Sequence, residues 1–122
     1  MNWTLDKARP ICPQLCELIC VAVANGAFSA GEKLLSVREI ALAAGVNPNT
    51  VQKSFEELER RGVIHSVRSS GWFVNENTEA AAAEVKSLRI SKTREYLAAM
   101  AQLGCSPEEI AQYLNECQGG KL

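Results

Sequence analysis

Apolar residues recur at helical spacing over residues 10–25. Ile11, Leu15, Leu18, Ile19 and Ala22 share a face, and the run opens at Pro10 and stops at Asn25-Gly26. Ser36-Val37-Arg38-Glu39 has the spacing of a capping box, in which hydroxyl and carboxylate each accept from the other residue's backbone N–H. It predicts a short helix over about 37–44, closed by Gly45. Asn47-Pro48 pairs an N-cap with proline at the first helical position and opens a helix of about 48–61, with Val51, Phe55 and Leu58 inward and Gly62 at its end. Two helices joined by Gly45-Val46-Asn47 read as a helix-turn-helix. Val63–Val67 and Trp72–Val74 are β-prone and flank the turn Arg68-Ser69-Ser70-Gly71, which predicts a β-hairpin. The expected fold is mainly α with this small hairpin: a winged helix-turn-helix over residues 1–75.

Residues 76–122 read as a separate two-helix segment. Thr78 caps a helix that passes through the alanine run 80–83 to Leu103 and is closed by Gly104, spanning roughly 39 Å. Ser106-Pro107-Glu108-Glu109 repeats the capping-box pattern, and Ile110, Tyr113, Leu114 and Cys117 form an apolar stripe behind it. The long helix carries Val85, Leu88, Tyr96, Leu97, Met100 and Leu103, more apolar surface than the last helix covers. Two helices enclose no core of their own, so these residues, with Ile110, Tyr113 and Leu114, are the expected interface of a two-fold homodimer.

Composition narrows the function without naming it. The 122 residues hold 13 basic and 14 acidic side chains, so no global charge draws the chain to nucleic acid or to an anionic membrane. The length excludes a doubly wound nucleotide-binding sheet or a barrel enzyme. Lys7 and Arg9 precede an apolar stretch that superficially resembles a secretory signal, but Pro13, Gln14 and Glu17 interrupt it. The expectation is a soluble, cytoplasmic chain with no membrane partner. Cys12, Cys16 and Cys20 repeat every four residues, so neighbouring sulfurs lie about 6 Å apart along a helix and the three do not converge on one ion unaided. With no Cys-x-x-Cys pair, small buried packing residues are the expectation and a metal or thiol sensor the alternative. His65 stands alone on a predicted strand with no catalytic partner. No enzyme activity, metal or cofactor is expected.

The chemistry points instead to the helix opened by Asn47. Asn49, Thr50, Gln52 and Lys53 lie off its apolar face. Asn and Gln amides match the N6 and N7 edge of adenine, and Lys suits guanine or a phosphate. A helix start also favours phosphate. Arg38, next to the capping Ser36, carries a guanidinium able to clamp a phosphate. Lys33, Arg60, Arg61 and Arg68 are weaker candidates, solvated charge unless the fold sets them beside DNA.

Gly31-Glu32-Lys33-Leu34, Ser36-Val37-Arg38-Glu39-Ile40-Ala41, Gly45-Val46-Asn47-Pro48-Asn49-Thr50-Val51-Gln52-Lys53, Glu57-Leu58-Glu59 and Gly62-Val63-Ile64 together resemble the GntR family of bacterial transcription regulators. The Asn-Pro-Asn-Thr-Val-Gln-Lys string and the two-helix tail resemble its YtrA subfamily. Branches with a ligand-binding or aminotransferase-like domain need a far longer chain after the wing than residues 76–122. The resemblance implies a homodimeric repressor that binds an inverted-repeat operator in double-stranded DNA, often of its own operon with an ABC transporter, with no effector identified. It implies DNA contacts from Lys33, Ser36 and Arg38, from Asn47, Pro48, Asn49, Thr50, Gln52 and Lys53, and from Arg68, Ser70 and Gly71 in the wing. A winged-helix module that binds only protein is a further alternative. The chain departs from the family at Leu35, where proline is usual, and at Cys12, often an aromatic. The wing departs too: Val67-Arg68-Ser69-Ser70-Gly71 lacks two basic residues and one glycine of the usual pattern.

Overall fold

The cap signals at Ser36, Asn47 and Ser106 act where the sequence puts them. In the computed structural model, which describes residues 1–122, the elements are α1 (Ile11–Ala24), α2 (Val37–Ala44), α3 (Pro48–Arg60), β1 (Ile64–Val67), β2 (Gly71–Val74), α4 (Glu79–Gln102) and α5 (Pro107–Gln118). At α2 the Ser36 Oγ accepts from the Glu39 N–H at 3.1 Å and the Glu39 carboxylate accepts from the Ser36 N–H at 3.0 Å. Gly45 ends the helix at φ 68°, a left-handed conformation that suits glycine.

Two compact units result, Met1–Lys86 and Ser87–Leu122. In the first, α1 and α2 both pack against α3. Leu15, Ile19, Ile40, Val51, Phe55 and Leu58 are all but sealed from solvent, each burial contributing roughly 1.5–3 kcal/mol. Cys16 and Cys20 fill this core as small apolar side chains, while Cys12 is half-buried. The single buried polar side chain, Ser54, donates to the Thr50 carbonyl at 2.8 Å, so it carries no unmet hydrogen bond.

β1 and β2 pair antiparallel with Ile64 opposite Val74 and Val67 opposite Gly71. Phe55 of α3 meets Trp72 edge-on at 5.3 Å, which ties the hairpin to the helices. The chain at 31–34 lies along the other edge of β2, unlike the loop implied by the sequence. Gly31 donates to the Val74 carbonyl, Val74 to the Glu32 carbonyl, and Leu34 to the Trp72 carbonyl, at 2.9–3.0 Å.

The first unit continues past the boundary expected at residue 75. Ala81 and Val85, one turn apart on α4, join the core of the winged unit. Val85, expected on a dimer surface, is only 6% exposed within one chain. Asn77 rather than Thr78 supplies the side-chain acceptor at this helix start, taking the Glu79 N–H at 2.9 Å. In the second unit the Ser106–Glu109 capping box forms as expected. Ile110, also expected on the dimer surface, is already buried, and Leu88 and Met100 are half-buried. Tyr96, Leu97, Leu103, Tyr113 and Leu114 are exposed. No helix is long and apolar enough to cross a membrane.

Candidate nucleic-acid interface

α3 begins with a cap built from its own sequence. The Asn47 Oδ1 accepts from the Asn49 N–H at 2.8 Å, and Pro48 takes the first helical position, where a backbone donor would have had no partner. Asn47 is thereby engaged in holding the helix start. Asn49 and Lys53 project into solvent, while Thr50 and Gln52 are half-buried. The Gln52 amide donates to the Glu56 carboxylate at 3.1 Å, a bond it must exchange before it can reach a base.

A second group assembles around the start of α2. Because the chain at 31–34 pairs with β2, Lys33 is carried alongside the wing. Its side chain runs so close to Gly71 that a Cβ there would meet Lys33 Cε at 3.2 Å. Lys33, Ser36, Arg38, Ser70, Gly71 and Trp72 line one open cleft of about 350 Å³. Segments far apart in sequence thus bring five of the expected contact residues together. Glu39, which also borders the cleft, is turned to the backbone of Ser36 by the capping box, and those hydrogen bonds hold its carboxyl below the ordinary carboxylate range. Arg38 forms no ion pair with it and is exposed.

The α3 candidates do not line this cleft, and Arg68 stands exposed on the hairpin turn. The next residue, Ser69, adopts φ 66°, the one left-handed conformation outside glycine in the chain. The later turns of α3 are occupied structurally. Glu57 pairs with Arg60 and, at 3.6 Å, with Arg61, and Arg61 also reaches Glu84 of α4 at 3.5 Å. Glu59 accepts from both the N–H and the hydroxyl of Ser66 at 3.2 Å. Arg60 and Arg61, weak candidates in the sequence, therefore serve the fold.

His65 is structural as well. Its Nδ1 lies 2.6 Å from the Asn75 Oδ1, and the Asn75 amide donates to the Gly62 carbonyl at 2.7 Å, which leaves His65 Nδ1 as the donor. The imidazole stacks on Phe73 across the hairpin. Burial pushes the Cys16 thiol up to about 12, aided by neighbouring Cys12, and pushes Cys20 up to about 11, aided by Glu84. Burial thus favours the neutral thiol at both positions.

One feature had no signal in the sequence. Lys7 reaches the turn between α2 and α3, where its ammonium donates to the Gly45 carbonyl at 2.8 Å.

Residues 14–74 match the family model described as bacterial regulatory proteins, gntR family. The chain is 34% identical over 116 residues to the uncharacterized HTH-type transcriptional regulator YhcF of Bacillus subtilis, covering 92% of this chain and 93% of that one. It is 33% identical over 120 residues to the HTH-type transcriptional repressor YtrA of the same organism, covering 94% and 92% respectively. Its fold is similar to a solved GntR family transcriptional regulator from Listeria monocytogenes, with TM-score 0.82 and 31% identity over 92% of this chain and 98% of that one.

Proposed function

The chain belongs to the gntR family of bacterial regulatory proteins, and from that membership we propose that it is a homodimeric, cytoplasmic repressor of its own operon and a linked ABC transporter. It is a DNA-binding transcriptional regulator and not an enzyme. The proposed operator is an inverted repeat, each half-site read by the start of α3 in the major groove and held by the α2–wing cleft on the flanking backbone. The observation that carries this reading is the joining of Lys33, Ser36 and Arg38 with wing residues Ser70 and Gly71 around one cleft. It offers a cation, a guanidinium and hydroxyls to one stretch of phosphate. The exposed Asn49 and Lys53 supply a separate base-reading edge.

The exposed apolar side chains Tyr96, Leu97, Leu103, Tyr113 and Leu114 support a second copy of the chain as the partner of the tail. Sensing through Cys16 and Cys20 has no such support, since both side chains are packed inside the core.

Footprinting the purified protein on the DNA upstream of its own gene tests the proposal. The expected result is one protected inverted repeat, saturated by two chains. Equal, weak binding to that DNA and to scrambled DNA at physiological salt would favour the protein-only module, and an asymmetric half-site saturated by one chain would overturn the dimer.

A further inference from the structure

We propose that Lys7 is an additional DNA-backbone contact, an ammonium that the N-terminal arm holds at the turn of the helix-turn-helix and presents to a phosphate. The proposal rests on the DNA-binding reading above and adds to it a residue outside the segment matched by the family model, which begins at residue 14.

The arm is tied down at both ends of Lys7. Ahead of it, Trp3 is buried in the core and packs near Phe28, with ring centroids 6.4 Å apart. Behind it, Gln14 of α1 gathers the chain. Its Oε1 accepts from the Asp6 N–H at 2.8 Å, and its Nε2 donates to the carbonyls of Asp6 and Pro10 at 2.9 Å. Asp6 also accepts from the Ala8 N–H at 3.0 Å. Lys7 is thus the projecting member of a pinned turn, and much of the entropy of positioning its backbone is lost on folding rather than on binding.

At the far end of the side chain, Gly45 makes room. A Cβ on that glycine would stand 2.8 Å from Lys7 Nζ. The Gly45 carbonyl, at the negative end of α2, is a favourable seat for a cation. That bond uses one of three ammonium donors. Asp6, the nearest acidic residue in sequence, pairs with Arg9 at 3.0 Å and leaves Lys7 bound to a neutral carbonyl. Lys7 is exposed. A solvent-facing positive charge without a carboxylate partner therefore stands two residues before Asn47, the cap of the helix assigned to the groove. Helix starts there already favour phosphate, and an ammonium at that turn extends the same preference along the backbone.

The test compares wild type, Lys7→Gln and Lys7→Arg on the footprinted operator and on scrambled duplex at several KCl concentrations, with thermal unfolding alongside. Gln retains a donor for the Gly45 carbonyl but no charge, whereas Arg retains the charge. Lys7→Gln is expected to lower affinity for both duplexes by about 3–10-fold and to reduce the slope of log affinity against log salt by about 0.9, the value for one lost phosphate contact. Lys7→Arg is expected to keep the wild-type slope. A Lys7→Gln slope equal to wild type, with or without a change in melting temperature, would overturn the assignment and leave Lys7 a brace of the turn. Wild type that binds neither duplex would overturn the DNA-binding reading itself.

Discussion

Asn47 and Asn49 stand two residues apart at the start of α3, yet their amides have different tasks. The Asn47 side chain holds the Asn49 N–H, so Asn47→Ala should cost about 1 kcal/mol of stability in a denaturant titration, the usual loss for an N-cap. Asn49 is exposed in the first turn, where a short amide acts only on a group that comes to it. Asn49→Ala should cost about 1–3 kcal/mol on the operator and little on scrambled DNA. Arg38, exposed in the cleft beside the wing, should behave differently. Its removal should weaken binding to every sequence and reduce the salt slope by about one. Uniform losses for both variants would mean that Asn49 reads no base. Ser69 supplies a prediction about the wing itself. A non-glycine residue at φ 66° is strained by roughly 1–2 kcal/mol, partly offset in Ser69→Gly by the greater freedom of glycine in the unfolded chain. Ser69→Gly should therefore stabilise the protein by about 0.5–1 kcal/mol, visible as a raised melting temperature.

The helices of this chain were legible from sequence because their signals are local. Ser36 with Glu39, Asn47 with Pro48, and Ser106 with Glu109 each complete their geometry within four residues, and each forms as the spacing predicts. What stayed hidden depends on contacts between distant segments. The pairing of residues 31–34 with β2 is written in no periodicity, because so short an edge acquires its register from the strand it joins. The same pairing carries Lys33 to the wing, so the cleft was visible only as a set of residues and not as a place. Lys7 was unreadable for a similar reason, its partner lying across the fold at Gly45. The capping boxes make a pH prediction. Hydrogen bonds from Ser36 and Ser106 hold the Glu39 and Glu109 carboxyls below the ordinary value of 4.5. A carboxylate lowered in the folded state adds stability above its unfolded pKa and loses it as pH falls through the folded value. Stability should decline below about pH 4.5, and Glu39→Gln should flatten that acid limb in thermal unfolding. An unchanged limb would mean that the box persists in the unfolded chain or contributes nothing.

Across the whole molecule, α4 belongs to two environments. Its first two turns give Ala81 and Val85 to the winged core, whereas Tyr96 and Leu97 further along are exposed. Sequence could not separate these roles, because apolar residues fall along α4 without one continuous stripe and nothing local says which of them a core will claim. The division changes how the tail must be removed. A chain ending at residue 75 loses Val85 and Ala81 together with the Arg61–Glu84 ion pair. Loss of buried aliphatic groups of this size costs about 2–4 kcal/mol, so residues 1–75 should unfold at distinctly lower denaturant than residues 1–86. A chain ending at Lys86 retains the core and discards the exposed apolar surface. By light scattering it should be monomeric, and the full chain should be the dimer proposed above. Its affinity for a single half-site should be close to that of the full chain, and its affinity for the intact inverted repeat should fall sharply, because the second half-site is no longer tethered. A substitution pair reaches the same end without truncation. Leu97→Glu with Leu114→Glu places charge on two exposed positions, so it should leave the winged core folded while dissociating the dimer. Residues 1–86 that remain dimeric, or a charged pair that still binds the full repeat as a dimer, would place self-association in the winged unit and not in the tail.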